Sequence, residues 1–388
     1  MGKTTWRNVL ALYSLADKAC RDHFCGVLDA MADTSNWHLF TTWPELWFSD
    51  GNHALRKSAD YDGYIIPMPG PAKVMRELSK SKTPTVLVNI TDRNLSARTH
   101  AVSFVWTDNA DIGRCGAEHL LKRGSYKSVG YVHELKYEFY SYEREIAYRN
   151  RMKEAGYKST SFPPDKDFSD YQTRLRDWIH RLPKPAAIMA VSDMRAADVI
   201  NACRETGILV PEQVAVVGVD NDSAQHEKCG MGISSVLPDF RLMGRIAVKE
   251  LQFLFQHPKT RGRPHEILVP VKEVITRESS ARSIPAVQLV EHAMSFIRTN
   301  SARDLKRRDV AAYLGCSLQL AELRFRQILG STIRATIATT RLEEAARRLK
   351  SSHVTVRQIA QEMHFNSASH LSRIFRRHFG CTITETRA

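Results

Sequence analysis

No Cys-x-x-Cys pair occurs in this 388-residue chain, and its seven cysteines (Cys20, Cys25, Cys115, Cys203, Cys229, Cys316, Cys381) are odd in number and scattered. That spacing argues against a zinc site or a disulfide framework and fits a reducing cytoplasm. No metal and no cofactor are expected. Any apolar run long enough to span a membrane is also missing. The apolar stretch 9–15 follows Lys3 and Arg7, as in a secretion signal, but Asp17, Lys18, Arg21 and Asp22 come too soon after it. It reads as a first buried strand. Gly2, Lys3 and Thr4 match only the tail of a phosphate-binding loop, without the preceding strand or the first glycine. With no phosphate loop, metal cluster or nucleophilic triad, no enzymatic reaction is expected.

What is present is an ordinary globular composition, 43% hydrophobic and 25% charged, in a chain long enough for two or three domains. The net charge is +14 and unevenly spread. Residues 285–388 hold 17 Lys+Arg against 8 Asp+Glu, a net +9, which leaves +5 for everything before them. A basic module of that kind attracts polyanions by counterion release; a solvated basic face is the plain alternative.

From residue 7 to about 275, short β-rich apolar runs alternate with amphipathic stretches. Strands are predicted at 7–13, 38–42, 64–66, 85–89, 102–106, 128–132, 187–191 and 214–219, with helices at 22–31, 72–80, 110–122, 143–155, 171–182 and 195–206. This alternation implies βαβ units and parallel sheets, in one large or two small doubly wound lobes. Ligands bind such sheets beyond the carboxyl ends of the strands. That rule singles out Ser192 and Asp193 after one strand, Asp220 after the next, and Arg144 early in a helix. The competing role of Asp193 is a helix N-cap; that of Arg144 is an ion pair with Glu143 or Glu145. A short polar segment ending at Pro285 divides the chain into residues 1–278, a linker at 279–285, and an all-helical part at 286–388.

The helical part writes one pattern twice, at 310–333 and 359–383. Val310 aligns with Ile359, Leu314 with Met363, Ser317 with Ser367, Phe325 with Phe375, Arg326 with Arg376 and Gly330 with Gly380. Each copy has a short apolar helix, a tight turn, a Ser at an N-cap position and a longer Arg-rich helix. Two helix-turn-helix units about 50 residues apart in a basic segment point to double-stranded DNA as the partner.

This C-terminal segment resembles the AraC-type DNA-binding domain along its whole length. The resemblance places recognition helices at 318–329 and 368–379 in successive major grooves. Gln319, Glu322, Arg324 and Arg326 would face outward on the first, and Ser369, His370, Arg373, Arg376 and Arg377 on the second. Residues 332–350 would form a connecting helix of roughly 28 Å, near the ~34 Å repeat of DNA. The sequence departs from the family pattern in places. Ala321 and Leu323 stand where a larger apolar and a basic residue are common, His364 replaces a turn glycine, and Ile383 and Thr386 suggest a frayed final turn.

The first 275 residues are similar to LacI-type regulators and periplasmic sugar-binding proteins. Tyr61-Asp-Gly-Tyr-Ile-Ile, Thr107-Asp-Asn109 with Gly113, Val191-Ser-Asp193, Val217-Gly-Val-Asp220 and Thr276-Arg-Glu-Ser279 occur in that family's order. The resemblance implies two lobes closing on a sugar. Arg144 would donate to its hydroxyls, Ser192 or Asp193 and Asp220 would accept, and Trp43, Trp47 or Trp106 would offer a stacking face. The order of the two modules resembles the xylose operon regulator family. It implies a cytoplasmic homodimer, sensing xylose or a related pentose, that activates transcription from operator DNA by recruiting RNA polymerase. The rival readings are a sugar-metabolising enzyme or a sugar-binding transport protein with a basic tail.

Overall fold

The computed structural model describes residues 6–15, 18–32, 36–42, 61–67, 82–89, 101–136, 138–164, 169–257, 265–281, 286–351 and 354–387. The helix predicted at 72–80 and two candidate stacking residues, Trp43 and Trp47, lie outside them.

Two six-stranded sheets form the first part of the chain. The N-terminal lobe has the order β11-β5-β4-β3-β1-β2, with β1 Arg7–Leu12, β2 Trp37–Thr42, β3 Gly63–Pro67, β4 Thr85–Val88, β5 Val102–Thr107 and β11 Glu266–Val269. The C-terminal lobe has the order β12-β10-β9-β8-β6-β7, with β6 Ser128–Val132, β7 Ser159–Phe162, β8 Ala186–Ala190, β9 Val214–Val219, β10 Ser234–Pro238 and β12 Val271–Ile275. All pairings are parallel except β10 with β12. Central strands such as β5 and β9 are buried at every position, because helices cover both faces of a parallel sheet. That is why their sequences are predominantly apolar, VSFVWT in β5 and VAVVGV in β9. The strands not predicted, β7, β10, β11 and β12, are either short and polar or lie at sheet margins, where one side carries no apolar signal.

The helices of this part are α1 Lys18–Met31, α2 Asn109–Arg123, α3 Phe139–Glu154, α4 Tyr171–Arg181, α5 Asp193–Glu205, α6 Ser223–Cys229 and α7 Phe240–Gln256. The chain crosses between lobes three times, after β5, after β10 and after β11. Two crossings carry an N-cap. Asp108 accepts from the Asp111 amide (2.9 Å), and Asp239 from the Leu242 amide (2.8 Å). The third is tied to the first by the Val271 amide, which donates to Asp111 (3.0 Å). In the N-terminal lobe α1 and α7 touch through glycines. A Cβ on Gly244 would lie 2.0 Å from the His23 carbonyl oxygen, so only Gly fits there.

Ser279 and Ser280, at the start of the expected linker, are buried in the C-terminal lobe. Ser279 donates to the Val216 carbonyl (2.7 Å), and Ser280 donates to Ser234 and meets His119 (2.7 and 2.6 Å).

Beyond Ala286 the described chain is helical: α8 Ala286–Thr299, α9 Arg307–Leu314, α10 Leu318–Leu329, α11 Ile333–Ser351, α12 Val356–Glu362, α13 Ala368–Phe379 and α14 Ile383–Arg387. The sequence duplication becomes a structural one. Ser317 caps α10 by accepting from Leu320 (3.2 Å), and Ser367 caps α13 by accepting from His370 (3.0 Å). Gly330 and Gly380 end those helices in the left-handed conformation. In the turns, Gly315 has φ +63° and His364 has φ +57°. The imidazole residue therefore takes the glycine conformation at some steric cost. Phe325 anchors the first core with Val310 and Ile333; Phe375 anchors the second with Met363 and Leu371. Ala321 is fully buried in the first core. The final turn is not frayed. Thr382 and Glu385 bond each other's amides reciprocally, and Ile383 is buried in the second core.

Two predictions follow from this packing. Gly244→Ala should destabilise the chain by about 1–3 kcal/mol, because backbone must move to admit the methyl group; an unchanged urea midpoint would contradict the close approach. His23 and His119 are held neutral by burial, which lowers them to about 3 and about 4. An unfolded imidazole titrates near 6.5, so the unfolded chain gains protons first on acidification. The contribution is complete above that value and is lost as pH falls toward 4. Each histidine should cost about 2 kcal/mol between pH 7 and pH 5, and replacing His119 by Asn should flatten urea stability across that range.

Candidate effector cleft and nucleic-acid interface

Between the lobes lies a cavity of ≈ 290 Å³ lined by residues that follow strands of both sheets. Asn89 follows β4 and Thr107 ends β5; Glu134, Ser192 and Asp193, and Asp220 and Asp222 follow β6, β8 and β9. Lys18, Phe139, Tyr140, Arg144 and Phe240 complete much of the wall. All four residues proposed from sequence, Arg144, Ser192, Asp193 and Asp220, meet here. Asn89, Thr107, Glu134 and Asp222 were missed, although the same position after a strand marks them. Nothing in the sequence marked Phe139 or Tyr140.

Arg144, 6% exposed, is fixed on three sides. Its Nε donates to Asn109 (3.0 Å), its Nη1 donates to the Val191 carbonyl (2.6 Å), and its guanidinium lies over the Tyr140 ring (5.0 Å). Glu143 accepts from Asn109 (3.0 Å), and Glu145 pairs with His133 (3.3 Å). Neither neighbouring carboxylate takes Arg144. The approach of α2 to α3 is set by Gly113, where a Cβ would fall 2.1 Å from the Arg144 carbonyl oxygen.

The N-cap of α5 is Ser192, which accepts from the Arg195 amide (3.4 Å) and donates to Glu134 (3.0 Å). Asp193, 1% exposed, uses both carboxylate oxygens within the lobe, accepting from the Asp222 amide and the Ser235 hydroxyl (2.8 Å each). Burial, with Asp220 nearby, pushes its carboxyl well above the usual range. It acts as a strut between loops rather than as a helix cap. Asp220 and Asn221 both have positive φ, +97° and +54°, a costly pair of conformations for side-chain-bearing residues. They turn the chain out of β9 beside the cavity.

Glu134, Asp220 and Asp222 against Lys18 and Arg144 make this wall unfavourable for an anion and suitable for a neutral, hydroxylated ligand. Among the described residues, its aromatic surface is Phe139, Tyr140 and Phe240. Trp106 is not a platform. It is buried at 3% exposure, stacks on Phe104 (5.8 Å) and meets Phe139 edge-on (6.3 Å), so it backs the wall from the core.

In the helical part, Ser369, Arg373, Arg376 and Arg377 are exposed on α13 and His370 is half-buried. The first unit differs. Gln319 and Arg326 are exposed, while Glu322 is half-buried, accepting from Arg307 (3.5 Å) and the Ile333 amide (3.4 Å). Arg324, expected on the outward face, is instead 1% exposed. It donates to both oxygens of Glu212 (2.9 and 3.1 Å), to the Val210 carbonyl and to Gln327 (3.0 Å). It faces the C-terminal lobe, whose carboxylate and carbonyl satisfy the guanidinium that solvent or DNA would otherwise meet.

Known proteins match the same two-part plan. A periplasmic binding protein-like domain family matches residues 117–280, and a helix-turn-helix domain family matches residues 310–388. The xylose operon regulatory protein of Escherichia coli K12 is 30% identical over 291 residues, 74% of each chain. That of Haemophilus influenzae is 26% identical over 356 residues, 90% of each. The solved structure of a xylose-binding transcription activator, xylR, covers 99% of this chain and 98% of its own, with a TM-score of 0.62 at 27% identity. With two periplasmic-binding-type lobes, an AraC-type double helix-turn-helix and this extent of similarity, the chain belongs to the xylose operon regulatory protein family, whose members are DNA-binding transcription regulators.

Proposed function

We propose that this regulator senses a pentose, xylose or a close relative, in the cleft between its lobes, and that the occupied cleft governs operator binding by the helical part. The observation that carries the reading is the convergence of Arg144, Ser192, Asp193 and Asp220 with Asn89 and Thr107 around one cavity. At ≈ 290 Å³ it sits at the lower end of the ~300–1,000 Å³ of ligand pockets, which suits a monosaccharide better than a disaccharide. The donors and acceptors come from both lobes, so a ligand bridging them favours the closed arrangement by its differential affinity for it.

Arg144 would donate to ring or hydroxyl oxygens, with Asp220 accepting. Because Asp193 already spends both oxygens on the protein, its role would be chiefly to position Asp220, Asp222 and Ser192. The sensor, expected from sequence at 1–278, would extend at least to Ser280, which with Ser279 is buried in the C-terminal lobe, so the linker to the DNA-binding domain at 286–388 would be shorter than 279–285. The working form would be a cytoplasmic homodimer that activates transcription on double-stranded operator DNA and recruits RNA polymerase. The arginines of α13 would carry more of the base reading than α10.

Calorimetric titration of the full chain with D-xylose, L-arabinose, D-ribose and D-glucose tests the sensor. One pentose should bind saturably, and Arg144→Lys, which keeps charge but loses the guanidinium fork, should weaken it at least tenfold. Absence of heat with every sugar would refute the reading. On the tightest duplex recovered from a randomised pool, Arg373→Ala should cost about 1–3 kcal/mol and Glu322→Ala less; equal losses would refute the asymmetry.

A further inference from the structure

We propose that the end of the C-terminal lobe around Val210, Glu212 and Glu227 is a docking surface for the chain's own helix α10, and that it competes with DNA for the first helix-turn-helix unit. Residues 319, 320, 323, 324 and 327 fall on one face of α10 at helical spacing, and four of them engage the lobe. Leu320 belongs to the same continuous apolar cluster as Ile208 and Val210, and Leu323 packs against it. Arg324 forms the buried pair with Glu212, and Gln319 donates to Glu227 (3.4 Å). Glu322 and Arg326 line the crevice between α10 and the Arg204–Gly207 turn.

This face overlaps the one that a major groove would have to receive, so α10 cannot hold the lobe and read bases together. The docking also accounts for Leu323 where the second unit carries Arg373: the side chain serves an apolar contact within the protein. Removing Glu212 would leave the buried Arg324 guanidinium without its carboxylate, a cost above the pair's net contribution, so the half-buried Glu212 secures the docked arrangement. Among the described residues the second unit carries no such contact, and its Arg373, Arg376 and Arg377 are exposed.

Three elements run from the cleft to this surface. α5 starts at Asp193 and ends at Glu205, α6 runs from Ser223, beside Asp222, to Cys229, and β9 links the Glu212 turn to Asp220. Thirteen helical residues and six strand residues each span about 20 Å. A ligand that shifts the near ends therefore acts on the seat of α10. That coupling rests on the sugar-sensing reading; the docking itself does not.

The test compares full-length wild type, Glu212→Lys, and Glu154→Lys as a charge-matched control at the exposed C-terminal end of α3. Two quantities are read: amide exchange of residues 318–329, and binding to a 30-bp mixed-sequence duplex between 50 and 300 mM salt. Glu212→Lys should bring exchange in α10 up to that of α13 and tighten DNA binding several-fold beyond the control. It should also steepen the salt slope by roughly one to two phosphate contacts, at about 0.9 per phosphate. Leu323→Ser, which alters only α10, should move both readouts the same way if Glu212→Lys perturbs the lobe. Unchanged exchange in both folded variants, or faster exchange with DNA binding equal to the control, would overturn the proposal. If the variants respond but D-xylose, L-arabinose and D-ribose leave wild type unmoved, the docking stands and the coupling to sugar is overturned.

Discussion

A buried carboxylate holds the C-terminal lobe's share of the cleft in place. Asp193 binds the Asp222 amide with one oxygen and the Ser235 hydroxyl with the other, joining the start of α5, the turn after β9 and the edge of β10. Burying so polar a group is unfavourable in itself, and the two hydrogen bonds offset the cost only with all three segments in register. The surroundings are shaped to fit: Gly218 has no room for a side chain, since a Cβ there would meet the Asp193 carboxylate at 2.2 Å. With the strut in place, Ser192, Asp220 and Asp222 have fixed positions around the cavity, and the strained backbone at Asp220 and Asn221 is held rather than relaxed. α5, α6 and β9, which all meet at this point, are also the elements that reach the seat of α10.

The two helix-turn-helix units solve the same packing problem in the same way and then diverge in what they show outward. Each has a serine cap, a left-handed turn residue, a central phenylalanine and a glycine stop. On α13 the outward residues are basic and exposed. On α10 the corresponding face carries Leu320, Leu323 and Arg324, and the C-terminal lobe covers it. Duplication therefore preserved the interior constraints, which any helix pair of this shape must satisfy, while leaving the outer faces free to take on different partners.

Much of this was legible in residue order. Continuous apolar runs gave the central strands because both faces of a parallel sheet are dry, and residues just beyond them gave Ser192, Asp193 and Asp220. Marginal strands such as Ser159–Phe162 and Glu266–Val269 were not legible, since half of each is polar or exposed. Phe139 and Tyr140 reach the cavity only because α3 packs against α2 at Gly113, a contact with no local signature. Trp106 shows the converse: an aromatic near the right place that the sheet turned into the core.

Local sequence determined the alternation of strands and helices, the doubled helix-turn-helix with its caps and cores, and the basic character of the last hundred residues, because these depend on neighbours a few positions apart. Tertiary structure alone decided which side chains share the cleft, that Asp193 spends its oxygens inside the lobe, and that Arg324 is buried rather than displayed. Those outcomes depend on contacts between residues distant in the chain, 29 and 42 positions for Asp193 with Asp222 and Ser235, and 112 for Arg324 with Glu212. An arginine's charge and helical position look the same in sequence whether a phosphate or a carboxylate of its own chain awaits it.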